Sequence, residues 1–182
     1  MLVPVLLAAA PPEPYVVLTR RRADLRRHAG EISFPGGRQD PEDATLIDTA
    51  LREAEEEIGL PRGEVRVLGE LPSTSTFATN YLIRPFVGQI AESRRWRLSP
   101  REVDAVLELP ASALREGRTR TRLGRRGFTF ETDAYIVGEH LIWGATARIV
   151  EHLLERLESL TPPFRPAPPP GSPTPSKSRR SS

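Results

Sequence analysis

Cysteine is absent from the 182 residues, and aromatic side chains make up only 6% of them. Without cysteine the chain can form no disulfide, use no thiol nucleophile and hold no metal through thiolates. No stretch approaches the roughly 20 consecutive apolar residues that span a bilayer, so we expect no membrane partner. Hydrophobic residues account for 38% of the chain, which is enough for the core of one domain. The absence of cysteine is compatible with the cytosol, and we expect a cytoplasmic protein.

Acidic residues are also absent from the last part of the chain, 162–182, which carries four basic residues and eight of the 19 prolines. So few apolar side chains cannot bury enough surface to offset the entropy lost on folding. We therefore expect a folded domain over 1–161 and a disordered tail, rich in proline, serine and arginine, over 162–182. Because the tail concentrates basic charge, the high isoelectric point says little about the domain.

Short apolar runs bounded by proline and glycine predict a series of strands. The first run contains Pro4 and lacks basic residues, which favours a strand over a signal peptide. The predicted strands are Leu2–Leu7, Tyr15–Thr19, Ile32–Phe34, Val65–Leu71, Ile83–Gln89 and Val103–Leu109, followed by a helical turn at Pro110–Leu114 and a hairpin of Phe128–Thr132 with Ala134–Val137.

Two amphipathic helices accompany these strands. For the first helix, Asp40 is a suitable N-cap, Pro41 suits the first helical position and Asp43 completes a capping box. Gly59 is well placed to end it. The second helix is predicted over Ala145–Leu160. Strands mixed with helices on both faces indicate an α/β protein with α/β/α layers.

Three carboxylates share one flank of the first helix. At 100° per residue, Glu53, Glu56 and Glu57 lie together beside the apolar stripe. Like charges at these spacings repel by roughly 0.2–0.5 kcal/mol per pair, and a divalent cation would turn that repulsion into a binding site. A solvated acidic helix face is the alternative interpretation of the same residues.

The neighbours of these carboxylates favour the cation site. Arg52–Leu60 resembles the second half of the Nudix box, Arg-Glu-U-x-Glu-Glu-x-Gly-U with U apolar, at every position. The first half of the box, a glycine followed after five residues by a glutamate, departs from the pattern. Either Gly37 pairs with Asp43, or Gly36 pairs with Glu42, and both choices leave a longer gap to Arg52 than the family's seven residues.

Resemblance to the Nudix hydrolase superfamily implies an α/β/α sandwich with a mixed sheet over 1–161, and hydrolysis of a pyrophosphate bond. It implies that Glu53, Glu56 and Glu57 bind Mg²⁺ or Mn²⁺, both of which prefer hard oxygen ligands. Arg52 would be a catalytic residue that orients these glutamates through charge-assisted hydrogen bonds. Gly37 would let the backbone pass close to the metal or phosphate.

A second motif precedes the box and resembles the signature of the coenzyme A pyrophosphatase group. The matching residues are Leu18, Thr19, Arg21, Arg26, Gly30 and Phe34 to Gly37. Val17 and Arg22 depart from the signature. The resemblance implies that coenzyme A or a derivative is cut to adenosine 3′,5′-bisphosphate and 4′-phosphopantetheine. Arginine suits bidentate phosphate contacts, and the substrate-binding residues implied are Arg21, Arg26, Gly36 and Gly37.

There are two candidates for the general base: a glutamate of the box, or Glu102 in the loop before the strand at Val103. Other Nudix substrates, namely ADP-ribose, dinucleotides and nucleoside triphosphates, are the first alternative function. A non-catalytic regulator or a nucleic-acid-binding protein that uses its basic tail is the second, although we expect a small-molecule substrate and no nucleic acid. The sequence does not fix the oligomeric state, and a dimer is one option.

The remaining aromatic and histidine residues carry little functional signal. Trp96 and Trp143 are predicted to be packing groups. The three histidines are scattered without the spacing of metal ligands, which predicts ordinary surface or packing roles.

Overall fold

A computed structural model of the chain describes residues 2–8, 13–25, 28–76, 81–90, 95–125 and 127–160. Two of the predictions, the substrate contact at Arg26 and the disordered tail at 162–182, lie outside these residues. Within them, none of the helices has the length and apolar character needed to traverse a lipid bilayer.

A seven-stranded mixed sheet forms the centre of the fold. Its strands are β1 (Leu2–Ala8), β2 (Tyr15–Arg21), β3 (Ile32–Ser33), β4 (Arg66–Glu70), β5 (Thr74–Ser75), β6 (Leu82–Ile90) and β7 (Val103–Pro110). Strands β1 and β6 are parallel, and the other neighbours are antiparallel. The main order is β3-β2-β1-β6-β4. Two strands lie off this path: β7 pairs with β2, and β5 pairs with β6. These strands match the predicted ones closely, apart from the short β5.

Three α-helices lie in the described part of the chain: α1 (Leu46–Ile58), α2 (Ala111–Glu116) and α3 (Gly144–Leu160). Alternation along β2 sends Val17 towards Ala54 and Ile58 of α1, whereas Leu18 belongs to the core cluster that contains Leu153 of α3. One helix therefore covers each face of the sheet, and the predicted α/β/α arrangement with a mixed sheet is confirmed.

A second, three-stranded antiparallel sheet was not predicted as such. It consists of β8 (Arg118–Arg125), β9 (Phe128–Val137) and β10 (His140–Trp143). The prediction of a hairpin within 128–137 is wrong, because β9 runs unbroken through Asp133. That residue lies opposite Arg120 in the ladder with β8, so its charge is matched across the strands instead of marking a turn.

The start of α1 also differs from the prediction. Thr45, not Asp40, is the N-cap, and its side chain accepts a hydrogen bond from the amide of Asp48, whose carboxylate closes the capping box. Asp40 and Asp43 instead form a turn ahead of the helix. The predicted end is confirmed: Gly59 takes a left-handed φ of 69° and its amide caps the last turn.

Candidate active site

A loop brings the backbone against the carboxylate flank of α1. Phe34 anchors this loop because its side chain is buried in the main core. Gly36 follows with a φ of 150°, which glycine tolerates best, and its amide donates a hydrogen bond to Glu57. Gly37 passes so close to α1 that a methyl group there would collide with the carboxylate of Glu53. The two glycines therefore shape the wall that faces the glutamates.

Arg52 is the centre of an ion-pair network on this flank. Its Nε and Nη2 donate to the two carboxylate oxygens of Asp43, at 3.1 and 3.0 Å. Its Nη1 donates to Glu53 and to Glu56, each at 3.1 Å. Nη2 also reaches the carbonyl of Arg38, at 3.0 Å. The guanidinium thus ties the loop to two of the three predicted metal ligands.

Asp43 is the acidic partner of the first half of the box. Its carboxylate is only 4% exposed, whereas Glu42 is exposed. Besides the bonds from Arg52, it accepts hydrogen bonds from the Asp40 amide and the Thr49 hydroxyl, both within 2.9 Å. The Arg52 hydrogen bonds, followed by that from the Asp40 amide, hold the pKa of Asp43 well below its usual range. The sequence allows two matches to the first half of the box, Gly37 with Asp43 or Gly36 with Glu42. The contact with Arg52 favours the match through Asp43.

Glu57 and Glu53 face inward, where water screens charge poorly. Glu57 is 5% exposed, and burial raises its pKa to about 8, with further contributions from Glu102 and Glu53. Burial also raises the pKa of Glu53, although Arg52 opposes that shift. Glu56 differs, because its side chain is 59% exposed and lies against Arg52.

A loop from a distant part of the sequence adds a fourth carboxylate. The amides of Arg97 and Ser99 donate to the carbonyls of Ile58 and Glu57 at the end of α1, at 3.2 and 2.8 Å. At its other end the carbonyl of Glu102 accepts from the Arg22 amide, at 3.0 Å. This double attachment explains why Glu102, whose charge raises the pKa of both Glu53 and Glu57, lies near the box.

Arg21 is the basic residue next to this group of acids. Its Nη1 lies 4.0 Å from Glu102, and its charge lowers the pKa of Glu57. The Nε of the same guanidinium is buried and has no hydrogen-bond partner among the described residues. One arginine of the upstream motif is thus placed beside the glutamates of the box.

The chemistry of these donors fits a divalent cation. Burial and neighbouring acids, Glu102 among them, disfavour the charged forms of Glu53 and Glu57, and a hard cation would compensate that charge. In the described parts of the chain, however, no three histidine, aspartate or glutamate side chains converge closely enough to form a metal site. Glu56 is the exposed member of the set, and the Arg52 nitrogen that contacts it also contacts Glu53.

Comparison with known proteins gives a consistent result. The family model described as NUDIX domain matches residues 3–125. The chain is 40% identical over 149 residues to a protein of Photorhabdus laumondii named Nudix hydrolase NudL, covering 81% of this chain and 79% of that protein. A Salmonella paratyphi B protein of the same name is 42% identical over 144 residues, covering 78% of this chain and 74% of that protein.

Solved structures resemble the fold at much lower sequence identity. The Nudix hydrolase RenU of M. smegmatis superposes with a TM-score of 0.62 at 17% identity, over 90% of this chain and 88% of that one. The NUDIX domain of Shewanella oneidensis NrtR, solved with ADP ribose, gives a TM-score of 0.56 at 15% identity, over 86% of each chain. At such identities the likeness establishes the fold alone.

Proposed function

Because this chain belongs to the Nudix family, whose hydrolases act on nucleoside diphosphate derivatives with divalent metal ions, we propose that its substrate is coenzyme A or a derivative. The products would be adenosine 3′,5′-bisphosphate and 4′-phosphopantetheine, and the cofactor Mg²⁺ or Mn²⁺. Family membership supports the hydrolase activity. The choice of coenzyme A as substrate depends on the upstream motif, whose Arg21 lies beside the box.

The position of Arg21 carries the proposal. This arginine belongs to the upstream motif, yet its guanidinium lies 4.0 Å from Glu102 and acts electrostatically on Glu57. The Arg21 side chain is 29% exposed, so a substrate can reach its guanidinium, and guanidinium groups have a strong preference for phosphate oxygens. A substrate with a phosphate beyond its pyrophosphate, as in coenzyme A, would offer this arginine a partner.

Within this proposal, Glu53, Glu56 and Glu57 would hold the cation, and a bound cation would supply neutralisation of the charge that develops on the phosphoryl oxygens. Arg52 restrains two of these side chains through the hydrogen bonds of its Nη1. Glu102 is proposed as the general base that takes the proton of the attacking water. Its side chain is 51% exposed, so water reaches it, whereas Glu57 is buried.

The substrate is tested by incubating the full chain with Mg²⁺ or Mn²⁺ and identifying products by mass spectrometry. Coenzyme A, ADP-ribose and NADH should be compared at equal concentrations. We expect the highest kcat/KM for coenzyme A, with adenosine 3′,5′-bisphosphate as a product. Faster turnover of ADP-ribose or NADH would assign the chain to another substrate class of the same family.

Arg21→Ala provides the corresponding test of the site. Loss of a charged hydrogen bond to phosphate should lower kcat/KM for coenzyme A by about 10- to 150-fold, equivalent to roughly 1.5–3 kcal/mol. Arg120→Ala is the matched control. Arg120 is exposed on β8 and pairs with Glu131, which is not one of the box glutamates. Equal effects of the two substitutions would remove Arg21 from the site.

A non-catalytic regulator that binds nucleic acid is the other candidate. Arginines of β8 offer basic charge, but Arg118 and Arg120 are paired with Glu151 and Glu131. The three glutamates predicted to bind metal are all present, which also favours catalysis. This second candidate would prevail if the chain turned over no nucleotide, and if removal of 162–182 abolished its affinity for nucleic acid.

A further inference from the structure

A cavity of about 390 Å³ adjoins the end of β2 and is lined by none of the box glutamates. It opens between the end of β2, the turn at 29–32 and the turn that joins β9 to β10. The side chains used below that line it are Arg20, Glu31, Glu139, His140, Leu141 and Trp143. Neither the Nudix box nor the upstream motif accounts for this cavity.

Its position relates it to the candidate active site. Successive residues of a strand point to opposite faces, and Arg20 lines the cavity whereas Arg21 approaches Glu102 and Glu57. The turn leading out of the cavity continues through β3 to Gly36, which contacts Glu57. Three residues lie between Ile32 and Gly36, so the four steps from one to the other span at most about 14 Å. The cavity and the glutamates thus adjoin the same end of β2.

One wall of the cavity is apolar and aromatic. Trp143 and Leu141 alternate with Ile142 along β10, so both project from the same face of the small sheet. Phe130, on the neighbouring strand β9, packs against the Trp143 ring with centroids 6.1 Å apart. Trp143 was predicted to be a packing group, and this contact fits that prediction. The indole also borders open space, which a buried packing residue does not.

The remaining wall is polar, with the two carboxylates Glu31 and Glu139 beside Arg20 and His140. Arg20 is already engaged, since its guanidinium lies 2.8 Å from Asp104 and 3.8 Å from Glu139. Glu31 is the second lining carboxylate, and it contacts His28 at 2.7 Å. A phosphate would meet these two carboxylates without a free guanidinium to compensate. A flat, uncharged ring that stacks on an indole and donates hydrogen bonds to carboxylates suits both walls.

We propose that this cavity binds a nucleobase, an uncharged heteroaromatic ring with an exocyclic amino group, stacked on Trp143. The ring belongs either to the substrate nucleotide bound at the glutamates or to a separate nucleoside. Only the first source rests on the proposed function. Adenosine is a suitable probe for both, because it carries the base without any phosphate.

Binding is measured by fluorescence, since the chain contains only two tryptophans. In a Trp96→Phe variant, Trp143 is the sole tryptophan, and adenosine should quench its emission saturably, whereas inorganic phosphate should not. Calorimetry on the unmodified chain avoids any effect of that substitution on Trp96, which packs in the core and donates to Glu108. Absence of saturable adenosine binding in calorimetry would overturn the proposal.

Substitutions at Trp143 separate stacking from folding. Trp143→Ala should weaken adenosine binding by about 5- to 100-fold, the usual range for losing one base–aromatic stack. Trp143→Phe keeps an aromatic face and should restore most of the affinity. If the phenylalanine and alanine variants lost adenosine affinity equally while both melted at the wild-type temperature, stacking on Trp143 would be excluded.

Hydrolysis assays then distinguish the two sources of the ring. If the base is that of the substrate, adenosine inhibits coenzyme A hydrolysis competitively and Trp143→Ala raises KM more than it lowers kcat. If it is a separate nucleoside, adenosine binds without competing. Saturable adenosine binding to a chain that fails to hydrolyse coenzyme A would refute the proposed substrate but support the base site.

Discussion

Asp43 holds Arg52 through two parallel hydrogen bonds, from Nε at 3.1 Å and from Nη2 at 3.0 Å, in a position where the carboxylate is almost fully shielded from water. Bidentate pairs of this kind fix the plane of a guanidinium as well as its location. The remaining nitrogen, Nη1, is thereby aimed at Glu53 and Glu56. The geometry of the glutamate flank consequently depends on a residue that lies before α1.

The first prediction concerns the pH dependence of this pair. The pKa of Asp43 in the folded state lies below its unfolded value of about 3.9, so the carboxylate stabilises the fold above about pH 4. That contribution is lost as pH falls through the folded-state pKa. Asp43→Asn should therefore melt below the wild type at pH 7, and the difference in Tm should shrink as pH is lowered from 5 towards 2.

Glu42→Gln is the matched control for this measurement. Glu42 is the exposed neighbour that competes with Asp43 in the sequence pattern. Its substitution should leave the Tm at pH 7 close to that of the wild type. A Tm difference between Asp43→Asn and wild type that stayed constant across the pH range would show that the charge of Asp43 does not stabilise the fold.

The two ends of α1 show what sequence patterns can predict. The end at Gly59 was predicted correctly, because a glycine after an apolar stripe meets a strict backbone requirement, a positive φ. The start was misplaced, because Asp40-Pro41-Glu42-Asp43 satisfies the capping pattern as well as Thr45 with Asp48 does. In the fold, Thr45 with Asp48 makes the cap, while the Asp43 carboxylate accepts from Arg52 and Thr49 of the helix.

The second prediction separates the two caps. Thr45→Ala removes the side chain that accepts from the Asp48 amide, so it should cost about 1 kcal/mol and lower Tm by roughly 2–4 °C. Asp40→Ala should cost less, because the Asp40 side chain is exposed and lies 3.6 Å from Arg52 in a loose ion pair. Thermal melts of both variants test this order. A greater loss of stability for Asp40→Ala would restore the original cap assignment.

Other features were not accessible from local sequence patterns. Strand β8 was missed because exposed arginines alternate with threonines along it, and its register depends on acids across the ladder, such as Glu131 and Asp133. Glu102 was only one of two candidates for the base, because its approach to the box depends on the contact of Ser99 with the end of α1. The position of β8 and that of Glu102 both depend on contacts between distant parts of the sequence. The periodicity of residues within one segment does not reveal such contacts.

The third prediction concerns the most deeply buried glutamate. Glu57→Gln keeps the shape of the side chain and removes a carboxylate that burial disfavours, so the variant should fold with an unchanged or higher Tm. Activity should nevertheless fall by more than about 100-fold, because loss of a proposed metal ligand exceeds the usual effect of losing one of its supporting groups. Steady-state kinetics and thermal melts on the same preparation test both statements.

Glu55→Gln is the control on the same helix, since Glu55 is exposed and pairs with Arg62 instead of facing the loop. It should keep near-normal kcat. Near-normal activity in Glu57→Gln would instead remove Glu57 from the cation site and leave the flank as a structural network around Arg52.

The fourth prediction tests the close approach of the loop to α1. In Gly37→Ala, the new methyl group meets the carboxylate of Glu53, which is the mobile end of a side chain and can rotate aside. The loss of stability should therefore be small, while the displaced carboxylate breaks its bond to Arg52 and leaves its position in the site. A displacement of about 1 Å at a catalytic group can cost about 100-fold in rate.

Gly63→Ala is the control, because its methyl group would meet nothing. It should stabilise the fold by about 0.4–1 kcal/mol, because alanine lowers the conformational entropy of the unfolded chain. A Gly37→Ala variant that kept full activity, at any stability, would show that Glu53 need not occupy its observed position for turnover.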